Sequence, residues 1–194
     1  MRKKIFAVAA ACAAAISLGA CTTSGSDDEY TELNAMLDLN YSKIILTVTN
    51  TFEDNASLTS EYVMEYSDGG VTVKYSVERF TSISLDAPAS DNKTTLTGEA
   101  VIKDGVVTGG ENVNLPATIA EKGLTFKGEY FANAELTGVY LKADVTDPDG
   151  FTGSSLNCAD MKVYATFLEM FYEIEITYVG ETGNAVECAY RFFI

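Results

Sequence analysis

Over residues 162–179 the chain alternates: Tyr164, Leu168, Met170, Tyr172, Ile174, Ile176 and Tyr178 occupy one face, and Glu169, Glu173 and Glu175 the other. A period of two marks a half-buried β-strand, and the β-branched and aromatic residues toward the end of the run oppose a helical reading. A turn at residues 180–184 then sets Ile176 opposite Cys188, Ile174 opposite Tyr190 and Tyr172 opposite Phe192. The same register brings Glu173 opposite Arg191 on the polar face, a favourable cross-strand pair. A one-residue slip would turn the whole apolar set to water, so a long antiparallel hairpin in this register is strongly specified.

The same logic reads the rest of the chain. In residues 43–52, Ile44, Leu46, Val48 and Phe52 share a face while Thr47, Thr49 and Thr51 fill the other. Taking 53–57 as a loop pairs Phe52 with Leu58, Val48 with Tyr62, Leu46 with Met64 and Ile44 with Tyr66. The turn Ser67-Asp68-Gly69-Gly70 returns the chain so that Tyr66 meets Val71, Met64 meets Val73 and Tyr62 meets Tyr75, with Val77 continuing the face. Residues 84–93 have loop composition. Asp104-Gly105, a pair that type I′ turns favour, joins a strand over 94–103 to one over 106–109. Residues 124–145 resume strand composition around a turn near Gly138, and Asp147-Pro148-Asp149-Gly150 reads as a further turn. Two helices are expected. One spans residues 31–40 with Leu33, Met36, Leu37 and Tyr41 at helical spacing, and a shorter one starts at Leu115-Pro116 and stops before Gly123. The fold class is therefore mainly β (α+β): a large curved antiparallel sheet of eight or nine strands with an N-terminal helix. The competing architecture is a β-sandwich, in which two sheets cover each other.

The N-terminus carries a different kind of pattern. Arg2, Lys3 and Lys4 precede an apolar run over residues 5–16, which is shorter than the about 20 residues of a spanning helix. Leu18-Gly19-Ala20-Cys21 follows, and it resembles the lipobox of bacterial lipoprotein signal peptides, although Gly19 stands where that family more often has Ala or Ser. The resemblance implies lipid on Cys21 and cleavage before it. Residues 1–20 are then a signal peptide, 21–30 a lipidated N-terminus and flexible tether, and 31–194 a single globular β-rich domain. The alternative is an ordinary secretory signal cut after Ala20. A lipid-anchored, extracytoplasmic location in a bacterial cell envelope follows from the first reading, with the membrane as partner.

Composition excludes several chemistries. The chain has no histidine, which removes Ser-His-Asp and Cys-His arrangements and the common imidazole base. Taking Arg2, Lys3 and Lys4 from 13 basic residues leaves 10 against 28 acidic ones, a net −18 for the processed chain, so nucleic acid is not an expected partner. Of four cysteines, Cys12 lies in the signal and Cys21 is the lipid site. Cys158 and Cys188 form either a disulfide or two buried thiols. Without histidine or a CxxC motif, zinc is excluded. Setting Gly150 on the glycine of an EF-hand loop puts Val145 at the first ligand position and Leu156 at the last, so that motif fails and no metal or cofactor is expected. No carboxylate pair stands out for glycoside hydrolysis and tryptophan is absent; the expectation is a protein that is not an enzyme.

Tyr62, Tyr66, Tyr75, Tyr172, Tyr178 and Tyr190 fall on the inferred apolar face, where they line a ligand cleft or simply fill the core. An N-terminal helix followed by a meander of long strands is similar to the half-barrel of periplasmic lipoprotein carriers and outer-membrane lipoprotein receptors. That resemblance implies a hydrophobic ligand held between the curved sheet and its covering helices. No motif of those families maps residue by residue, so no ligand residue is carried over. The functional expectation is a membrane-anchored, extracytoplasmic lipoprotein that binds a hydrophobic or other small molecule on its curved sheet. The alternative is a structural or adhesive cell-surface module acting through its outer surface.

Overall fold

The computed structural model describes residues 27–53, 56–81, 92–110, 123–137, 140–167 and 171–194. Helix α1 (Asp27–Leu37) is followed by β1 (Lys43–Thr51), β2 (Ser57–Ser67), β3 (Gly70–Phe80), β4 (Lys93–Lys103) and β5 (Val106–Gly109). A 3-10 turn (Gly128–Tyr130) then leads into β6 (Phe131–Leu136), β7 (Tyr140–Val145), the short helix α2 (Pro148–Thr152), β8 (Cys158–Phe167), β9 (Phe171–Gly180) and β10 (Ala185–Phe193). All ten strands form one open, curved antiparallel sheet in the order β5-β4-β3-β2-β1-β10-β9-β8-β7-β6. A single sheet replaces the two of a sandwich. Its first and last strands are neighbours, Lys43 opposite Phe193 through Thr51 opposite Ala185, and each half meanders outward from that central pair.

Several registers are those the side chains predict. In β9–β10, Ile176 faces Cys188, Ile174 faces Tyr190 and Tyr172 faces Phe192, and Arg191 Nε donates to Glu173 Oε1 at 3.1 Å on the outer face. In β2–β3, Tyr66 faces Val71, Met64 faces Val73 and Tyr62 faces Tyr75. Asp104 and Gly105 take φ of 51° and 74°, the two left-handed residues a type I′ turn requires between β4 and β5.

Other expectations are corrected. In β1–β2, Ile44 faces Met64 and Leu46 faces Tyr62, two residues from the predicted register. The turn is tighter, with Phe52 N–H donating to Ala56 O at 2.9 Å, and the Phe52 ring packs 5.6 Å from Phe80 instead of opposing Leu58. An even shift keeps every side chain on its face, so face matching alone cannot detect it.

Residues 162–179 are not one strand. β8 ends at Phe167, which faces Tyr172 of β9. That odd offset reverses the phase, so Met161, Val163, Ala165 and Phe167 point inward in β8 whereas Tyr172, Ile174 and Ile176 do so in β9. Tyr164 is consequently 43% exposed and stacks on Tyr140 on the outer face. Leu168, Glu169 and Met170, at the join, lie outside the described residues, as do the predicted helix at Leu115-Pro116 and the centre of the turn at Gly138.

Near the N-terminus, α1 begins at Asp27 rather than 31. Tyr30, assigned above to the tether, is buried and stacks 5.8 Å from Phe131. Residues 124–127 are not strand. They cross the inner face, where Asn34 of α1 binds Phe126 from both sides: Nδ2 donates to Phe126 O at 2.6 Å and Oδ1 accepts from Phe126 N–H at 2.7 Å. Pairing both backbone groups of a fully buried residue with one side-chain amide satisfies the donor and acceptor that this irregular segment would otherwise leave unmatched. Finally, Asp147-Pro148-Asp149-Gly150 opens α2 instead of closing a turn. Asp147 Oδ1 caps Gly150 N–H at 2.9 Å with Pro148 in the first helical turn, and Gly153 ends the helix at φ 65°.

The core lies between the sheet and this cover. Leu33 and Leu37 of α1, Phe126, and Phe151 of α2 pack in one cluster with Ile44, Leu46, Val163, Ile174 and their neighbours.

A candidate site in an apolar cavity beneath the sheet

The six tyrosines of the apolar face divide into two groups. Tyr62 and Tyr75 are a cross-strand pair, each 8% exposed, and Tyr75 lies over Gly98 of β4 so closely that a Cβ there would collide with its hydroxyl. Glycine at 98 is what leaves room for the ring. Tyr172 packs between Phe167 at 5.7 Å and Tyr41 at 6.4 Å. The Tyr66 hydroxyl is buried with no hydrogen-bond partner among the described residues, and burial pushes its pKa up to about 12. These four fill the core.

Tyr178 and Tyr190 instead line a cavity of about 230 Å³. Strands β1, β8 and β9 supply its apolar floor through Leu46, Val48, Met161 and Ile176, and the cover lines its other side with Leu37, Leu124 and Leu156, leaving it partly open to solvent. Period-two matching finds Leu46, Val48 and Ile176 of the floor but not Met161, which lies in the odd-numbered phase of β8. It misses the cover, because α1, α2 and residues 123–124 come to this place only through tertiary packing. The polar groups in the wall are the two phenols, the Cys188 thiol, Thr152 and Ser154; no charged side chain lines the cavity among the described residues. Thr152 Oγ1 is already engaged with Pro148 O at 2.8 Å and Ser154 O at 3.2 Å. Neither phenol makes a hydrogen bond to another described residue. Burial raises both: Tyr178 reaches about 12, and Tyr190 goes further, with Cys188 and Tyr178 adding to the effect.

Cys158 and Cys188 are free thiols. Their strands flank β9, Cys158 facing Gly180 and Cys188 facing Ile176. Two strand spacings amount to roughly 9.5 Å, and a disulfide needs Cα atoms within about 7 Å, so this sheet holds the pair apart instead of bridging it. Cys188 is pushed up to about 11, chiefly by burial and then by Glu187. At pH 8 it should therefore hold about 100-fold less thiolate than an ordinary cysteine and resist alkylation in the folded protein, reacting faster as pH climbs toward 11. The sign for stability follows. A thiol that ionises near 9 when unfolded and near 11 when folded leaves stability unchanged below pH 9 and lowers it as pH rises between those values. Tyr66 and Tyr178 act in the same direction between about 10 and 12. Iodoacetamide mapping and urea unfolding across pH 8–11 check both; fast labelling of Cys188 at pH 8 would contradict its burial.

The acidic run before Gly150 is spent on structure. Asp147 caps α2, and Asp149 Oδ1 accepts from Leu156 N–H at 2.6 Å. Among the described residues no group of three or more Cys, Asp or Glu is arranged to hold a metal ion, and no helix is long and apolar enough to cross a membrane. Cys21 lies outside the described residues. No protein-family model matches the chain, and no curated protein matches it.

Proposed function

We propose that the protein is a lipid-anchored, extracytoplasmic binding module, not an enzyme, which holds a small hydrophobic molecule beneath its curved sheet. Two features support this reading. Arg2-Lys3-Lys4, the apolar run and Leu18-Gly19-Ala20-Cys21 have the charge order, length and cysteine position of a lipoprotein signal. The cavity carries the reading: α1, the strap of residues 123–127 and the sheet leave an apolar-walled cleft of about 230 Å³, partly open to solvent, of the concave and mostly apolar kind that small ligands occupy.

Mass spectrometry under non-denaturing conditions, on protein purified from its own membranes, should find a small molecule that leaves on denaturation. Preparations that are repeatedly empty would favour a structural or adhesive module acting through the outer surface.

A further inference from the structure

Taking the binding-module reading as its premise, we propose that the cavity admits one uncharged molecule, a single ring or short single chain bearing a carbonyl, ether or hydroxyl oxygen, and rejects carboxylates and multi-chain lipids. Three observations define this class. The first is size. An apolar cavity of about 150 Å³ holds benzene, so about 230 Å³ holds roughly nine heavy atoms on the same scale. Drug-sized sites run to about 300–1,000 Å³, and the chains of a diacyl lipid far exceed this space. The second is charge. No basic side chain lines the cavity among the described residues, and the whole chain carries −15, so a carboxylate entering it would be desolvated with no counter-ion among those side chains. Such an acid would have to enter protonated, and at neutral pH that form is scarce.

The third is the pair of phenols. Tyr178 and Tyr190 line the wall and make no hydrogen bond to another described residue, so neither hydroxyl is committed to the protein's own structure. Burial keeps both protonated at any physiological pH, so each is a neutral donor available to an acceptor oxygen. Cys188 beside them is likewise held as a neutral thiol.

The test is isothermal titration of the processed chain, residues 21–194 with Cys21→Ser so that no acyl chain competes. The probes are 1-octanol, octanoate, toluene and diheptanoylphosphatidylcholine below its micellar concentration. Octanol should bind, octanoate at pH 7.5 at least tenfold more weakly, and the two-chain lipid not at all. Tyr178→Phe and Tyr190→Phe remove no hydrogen bond to a described residue and should fold normally; each should weaken octanol about three- to tenfold while leaving toluene within twofold. Octanoate or the phospholipid binding as tightly as octanol, or octanol indifferent to both tyrosine changes, overturns the proposed class while the binding-module reading stands. No binding by any probe overturns both.

Discussion

Cys21→Ser will abolish incorporation of labelled fatty acid when the full chain is expressed in a bacterial host, and any variant chain cut from its signal will leave the membrane fraction. The expected effect is all-or-none because of how anchoring energy accumulates. Each buried CH2 contributes about 0.8 kcal/mol, one acyl chain binds a membrane only marginally, and two or three hold it stably. All of those chains would depend on a single cysteine. Residues 5–16 are too short to take over as a spanning segment. Fractionation alone is ambiguous, since an uncleaved signal can retain a chain at the membrane, so the label decides. A wild-type protein that takes up no labelled fatty acid overturns the anchor, wherever the variant fractionates.

Phe126→Ala should destabilise the fold by about 3–5 kcal/mol, a large share of the 5–15 kcal/mol typical of a domain. Phe126 is fully buried, and its ring sits 5.5 Å from Phe151, 6.2 Å from Phe131 and 6.5 Å from Phe167. Those rings belong to α2, β6 and β8, each pinned by its own contacts, so the vacated space cannot collapse and the cavity cost adds to the lost burial. The Asn34 clasp holds the backbone of residue 126 in place after the side chain is gone, which further limits relaxation. Arg191→Ala is the contrast. It breaks the 3.1 Å pair with Glu173 on the outer face, where both partners are partly exposed, and should cost under about 1 kcal/mol. Urea unfolding followed by far-ultraviolet circular dichroism compares the two. A Phe126→Ala loss no larger than that of Arg191→Ala would mean that the aromatic cluster does not hold the cover on the sheet.

Much of the fold is legible in local patterns. Alternation assigns Ile174, Ile176, Met64 and Val73 to the inner face, and Asp104-Gly105 dictates its hairpin because few other residue pairs tolerate two left-handed residues in succession. The β9–β10 register is legible because an apolar set and a charge pair, Glu173 with Arg191, agree on it. Where a single criterion acts, it does not fix one pairing. The β1–β2 pairing moved by two residues, a shift that leaves every face unchanged. The phase reversal between Phe167 and Tyr172 was hidden because Tyr164 and Leu168 continue the even-numbered alternation, although Met161, Val163, Ala165 and Phe167 form an equally regular odd one.

The sequence by itself determined which side chains turn inward in β1, β2, β3, β9 and β10, where the chain reverses at residues 67–70, 104–105 and 180–184 and, in the reading proposed here, the address carried by Cys21. These depend on backbone periodicity, turn sterics and a contiguous signal, all of them local. Only the tertiary structure decided that β1 pairs with β10, that β9 separates Cys158 from Cys188, and that Tyr178 and Tyr190 face a cavity while Tyr62, Tyr66, Tyr75 and Tyr172 fill the core. Alternation specifies a face but not a neighbour. Which strand lies beside which, and which apolar side chains are left facing open space, is settled by how helix and strap pack across the whole sheet at once.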